Sequence, residues 1–88
     1  MIFYLAAFRT DGSRELSSCD LPEDGLGEHV QRLHSMGFER VRVIDASGLN
    51  QGIATLRRNG LLSAQDARHD ALTLWGVVND VYDAGRTG

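Results

Sequence analysis

The chain opens on a segment that is apolar on both of its alternating faces. Within Ile2 to Arg9, Phe3, Leu5 and Ala7 point one way, and Ile2, Tyr4, Ala6 and Phe8 the other. A strand with two apolar faces belongs in the middle of a sheet, covered on both sides. Thr10-Asp11-Gly12-Ser13 follows, and Asp-Gly between two strand-like runs is a strong hairpin signal. The returning run, Arg14 to Cys19, is more polar, as suits an edge strand.

Asp20-Leu21-Pro22-Glu23-Asp24 then has the makings of a helix start. Asp20 or Asp24 is expected to accept a hydrogen bond from the free amides of the first turn, where a proline loses no helical bond. Gly25 and Gly27 weaken that turn, so the firm helix is expected over Leu26 to Met36, with Leu26, Val30 and Leu33 on one apolar stripe. Gly37 supplies a left-handed exit, after which Phe38 should fold back on Leu33 as in a Schellman cap. Arg40 to Ile44 alternates Arg-Val-Arg-Val-Ile and predicts a third strand with Val41 and Val43 inward. A right-handed crossover places that strand parallel to the second and beyond the first, giving the order 2-1-3. The first strand is then central, in agreement with its two apolar faces.

Asp45 to Asn50 is turn-forming. From Gly48 to Arg58, Leu49, Ile53 and Leu56 suit a helix capped at Ser47. The alternation Ile53-Ala54-Thr55-Leu56 also allows a strand, and the helix is preferred, with Asn59-Gly60 ending it. Ser63 and Asp66 form a capping pair for the last helix, and Gly85 marks its end. Between them Ala67, Ala71, Leu74, Trp75, Val78, Val81 and Tyr82 keep helical phase for about twenty residues, roughly 30 Å of helix. Arg68, Asp70, Thr73, Asn79, Asp80 and Asp83 are expected on its outer face. The expected fold is α+β. A small three-stranded, mainly antiparallel sheet in the order 2-1-3 carries one crossover helix and a C-terminal helical hairpin that ends in a long amphipathic helix.

Composition narrows the function classes. Eighty-eight residues, 42% of them hydrophobic, make a single domain over residues 1–88. The net charge is −3, and every one of the nine cations is arginine. A mildly acidic surface argues against nonspecific binding to phosphate backbones, so direct nucleic-acid binding is not expected. No apolar run approaches the roughly 18 residues of a membrane span. The apolar N-terminus has no positive n-region and is broken by Arg9, Asp11, Arg14 and Glu15. With a single cysteine and no address signal, a cytoplasmic location is expected.

Residues able to carry catalysis do not combine into a site. His29 and His34 are five apart, which turns them about 140° away from each other on a helix. His69 stands alone, so no metal site is expected. Cys19 lies beside Asp20, Glu23 and Asp24, acids that raise a thiol pKa instead of activating it, so it reads as a half-buried strand cysteine. Asp24-Gly25-Leu26-Gly27-Glu28 lacks the Gly-Lys-Ser/Thr and third glycine of phosphate loops, and Ser47 to Gly52 matches no such fingerprint. A helix-turn-helix with a recognition helix from Ser63 would turn Asp66 and Asp70 toward phosphates. No catalytic residues and no cofactor are expected.

What remains is charge and apolar surface. Asp20, Glu23, Asp24 and Glu28 place four carboxylates within nine residues. They read either as helix-dipole compensation or as a patch that meets a basic groove on another protein. Arg57-Arg58 is the only adjacent basic pair, a second candidate contact for a partner or for nucleic acid. Trp75, Val78 and Tyr82 lie on one stripe, and leftover apolar surface there would suit a homodimer. The function expected from these features is a small, acidic, non-enzymatic protein-binding module. In size, charge and architecture the chain resembles phage- or mobile-element-encoded inhibitors of host defence such as anti-CRISPR proteins, which implies inhibition of a defence complex through an acidic surface. Two alternatives are a nucleic-acid-associated transcriptional regulator using Arg57 and Arg58, and a small ligand-binding or enzymatic domain whose residues converge only in three dimensions.

Overall fold

The computed structural model describes residues 1–63 and 69–86. Strand β1 (Ile2–Phe8) lies between β2 (Arg14–Asp20) and β3 (Arg40–Asp45) and is antiparallel to both. The order is therefore 2-1-3, as expected. The hairpin register runs from Ile2 opposite Asp20 to Phe8 opposite Arg14. Gly12, with φ +89°, makes the turn possible, because a left-handed backbone there is costly for residues with a Cβ. Asp11 accepts the Ser13 amide at 2.8 Å and fixes the loop.

Both faces of β1 are covered. Tyr4, Ala6 and Phe8, with Leu16 and Ile44 beside them, pack against helix α2 (Ala46–Arg58) and helix α3 (Ala71–Arg86) through Leu49, Trp75 and Val78. On the other face Phe3, Leu5 and Ala7 are buried beside Val43 and Val41, on the sheet to which helix α1 (Leu26–Ser35) is docked through β3. Burying a side chain the size of Leu5 or Phe3 contributes about 1.5–3 kcal/mol, which explains why an apolar first strand commits to the centre. Helix α3 comes close to β2 at Gly76, where a Cβ would stand 3.0 Å from Leu16 Cδ1.

The exit of α1 follows the Schellman pattern. Gly37 has φ +101°, the Phe38 amide donates to the Leu33 carbonyl at 3.2 Å, the Gly37 amide donates to His34 at 3.1 Å, and Phe38 is buried. The helix starts differ from expectation. A single 3-10 turn, Glu23–Gly25, precedes α1, and neither has a side-chain cap; Asp20 instead accepts from the Met1 ammonium at 3.0 Å. Ser47 does not cap α2. Strand β3 runs straight into that helix, so the last strand residue, Asp45, is the cap and accepts the Gly48 amide at 2.6 Å.

The last helix also begins later than the sequence pattern implies. Asp70 accepts the Thr73 amide at 2.8 Å, and α3 starts at Ala71, so Ser63 does not cap it. Asp66 and Ala67 of the expected start lie outside the described residues. The described helix runs to Arg86, one residue past Gly85. Asn79, expected on the outer face, is fully buried, whereas Tyr82 of the apolar stripe is 55% exposed. Trp75 and Asn79 are four apart and share a face, so the amide turns inward with the indole.

Candidate functional site

Antiparallel pairing gives the sheet two chemically opposite ends. At the Ile2 end the chain leaves β2 at Asp20 and turns through Glu23, Asp24 and Glu28, all exposed. At the Phe8 end the register sets Arg14 on one side of Phe8 and Arg40 on the other, with Arg42 two residues along β3. Arg9 follows β1 directly. The two ends are about 20 Å apart along β1, from the rise of an extended chain.

The carboxylates fall into two groups. Asp11, Asp45 and Asp70 each accept a backbone amide. Asp80 binds Arg14 and Asp83 binds Arg42. By contrast, among the described residues Glu15, Glu23, Asp24, Glu28 and Glu39 make no ion pair and cap no helix, and Asp20 holds only the Met1 ammonium. Of these, Asp20, Glu23, Asp24 and Glu28 stand together at one end. Their local structural duty is therefore limited to the weak helix-dipole effect.

The cations divide in the same way. Arg42, 21% exposed, donates to Asn79 Oδ1 and to Asp83 Oδ1 at 3.1 Å. Arg9 instead lies over the Phe38 ring at 4.2 Å and Arg40 over the Phe8 ring at 4.4 Å. A guanidinium stacked on a ring keeps its N–H donors directed outward in its own plane. The two arginines line an open cleft of about 510 Å³ with Phe8 and Glu39. Sequence reasoning missed this pair because thirty positions separate its members. No local pattern signals it, because only the β1–β3 register brings the two arginines to one end.

Arg57 and Arg58 are exposed in the last turn of α2 and lie apart from any cleft described here. The recognition helix considered for a helix-turn-helix, starting at Ser63, falls largely on residues 64–68, outside the described residues. Of the three residues considered for a dimer, Trp75 and Val78 are consumed by the chain's own core, leaving Tyr82 on the surface.

One juxtaposition that spacing could not show involves Cys19 and His29, which line a shared cleft of about 300 Å³ with Glu15 and Leu33. Burial, and then the charge of Asp20, push the Cys19 thiol pKa up, away from the thiolate that a nucleophile needs. No group of three or more potential ligands for a metal occurs among the described residues, and no described helix is long and apolar enough to cross a membrane. Comparison with protein families, curated proteins and solved structures finds no match to this chain.

Proposed function

We propose that this α+β domain is a non-enzymatic protein-binding module that meets a basic partner surface through Asp20, Glu23, Asp24 and Glu28. The observation that supports this reading is the division of the carboxylates. Asp11, Asp45, Asp70, Asp80 and Asp83 hold turns, helix starts or arginines, and Glu15 and Glu39 stand singly, whereas this group gathers four carboxylates at one end with little structural work. Clustered, solvated charge of one sign speeds and orients encounter with a surface of the opposite sign. A groove that otherwise holds nucleic acid is one partner surface of that chemistry, and the resemblance to anti-CRISPR inhibitors is of this kind.

The test is capture from lysate by the wild-type chain and by Asp20→Arg/Glu23→Arg/Asp24→Arg, with cross-links mapped by mass spectrometry. The expected result is a protein recovered by the wild type, cross-linked within residues 20–28 and lost with charge reversal. Retention of DNA or a small molecule with no protein, or capture indifferent to charge reversal, overturns the reading.

A further inference from the structure

We infer that the cleft between Arg9 and Arg40 receives the acidic 20–28 segment of a second copy of this chain, so that copies associate head to tail. The inference rests on the reading of that segment as a protein-binding patch and names a partner for it. The cleft supplies the first part of the argument. Arg14 and Arg42, at the same end of the sheet, are matched by Asp80 and Asp83. Arg9 and Arg40 have no ion pair among the described residues, yet each guanidinium is held in place by a buried ring. Two positioned forks of N–H donors suit carboxylates, which accept them in pairs. Holding them in advance reduces the side-chain entropy lost on binding.

The occupant follows from the opposite end. Asp20, Glu23, Asp24 and Glu28 lie about 20 Å from these arginines along β1, so this cluster cannot reach them within one copy. Glu39, beside the arginines in the cleft, forms no ion pair with either. A neighbouring copy meets the condition with one translation along the strand direction. Nucleic acid fits less well. A net charge of −3 repels an extended phosphate backbone more than a short acidic segment, while Glu39, which lines the same cleft, opposes either occupant. Because the two surfaces differ, the contact is heterologous, and the assembly grows into rings or open chains instead of stopping at a twofold dimer.

Sedimentation of the full chain across a wide concentration range, at low and high salt, tests this. The expected weight-average mass rises above the 9.7 kDa monomer with concentration, and added salt reverses the rise by screening. Arg9→Gln/Arg40→Gln and Asp20→Asn/Glu23→Gln/Asp24→Asn each keep one end intact, and each is expected to raise the midpoint concentration about tenfold or more, the equivalent of a single 1.4 kcal/mol contribution. An equimolar mixture of the two variants is expected to give a 1:1 dimer and nothing larger, which also shows that both are folded. A wild type that stays monomeric, or variants that associate as it does, overturns the inference. So does a single-stranded oligonucleotide shift lost in Arg9→Gln/Arg40→Gln without self-association. A monomeric wild type whose capture of a basic protein is still lost on acidic charge reversal overturns the head-to-tail contact alone and leaves the acidic patch standing.

Discussion

Arg42 on β3 donates a hydrogen bond to the Oδ1 of Asn79 on α3, and the Nδ2 of the same amide donates to the Trp75 carbonyl at 2.7 Å. A fully buried side chain thereby ties the arginine-bearing edge strand to the helix that closes the core.

Replacing Asn79 with leucine leaves the Arg42 guanidinium without its inner acceptor. The expected loss is about 1.5–3 kcal/mol, the cost of breaking a partly buried hydrogen bond to a charged group. Urea denaturation measures it. Arg42→Met/Asn79→Leu removes both partners, and its loss should be smaller than the sum of the two single losses.

Gly76 tests how tightly α3 lies on β2. The first carbon of any side chain there meets Leu16 Cδ1 at 3.0 Å, with Arg14 Nη2 at 3.5 Å. Gly76→Leu is expected to lower stability by about 1–3 kcal/mol through overpacking. An unchanged urea midpoint would show that the helix can lift away freely.

Two carboxylates predict the acid limb of stability. The Ser13 side chain and then its backbone amide hold the Asp11 pKa below its ordinary value, and for Asp70 the Thr73 backbone amide is the leading cause of a shift in the same direction. A folded-state pKa below the unfolded one stabilises the fold fully above the ordinary carboxylate range, and that contribution is lost as pH falls through and below it. The thermal midpoint should therefore decline on acidification. Asp11→Asn and Asp70→Asn should each flatten the decline, and an unaltered slope in both variants would contradict the assignment.

Cys19 is expected to react slowly. Its thiol pKa is raised by burial and by Asp20, so little thiolate is present near neutral pH. Alkylation by iodoacetamide should be slower in the native chain than in urea, and should accelerate in Asp20→Asn. Equal native and unfolded rates would refute this.

The architecture was legible wherever one residue type answers one physical demand. The two apolar faces of β1 place it centrally, and Gly37 with Phe38 defines the end of α1. Helix starts were less legible, because several acceptors compete in a short stretch and the backbone path decides among them. Asp45 displaces Ser47 because β3 enters α2 without a loop, and its extended ψ of 170° aims the carboxylate at the first turn. Asn79 was misplaced because its polarity suggests solvent while its phase on the helix is that of Trp75. Arg9 and Arg40 could not be paired from local pattern at all, since only the β1–β3 register brings them to one end.

The central position of β1 also governs the order in which the fold can be completed. Every ladder bond of the sheet involves this strand, yet it precedes both of its partners in the chain. During synthesis the hairpin with β2 can close early and locally, while the β3 edge and the rows Phe3, Leu5, Ala7 and Tyr4, Ala6, Phe8 wait for residues far downstream. Such distant pairings form slowly, and an apolar strand left open in the interval invites pairing with other chains. The arginines that alternate along β3 put charge on the strand that must dock last, and charge of that kind disfavours pairing between strands of different chains.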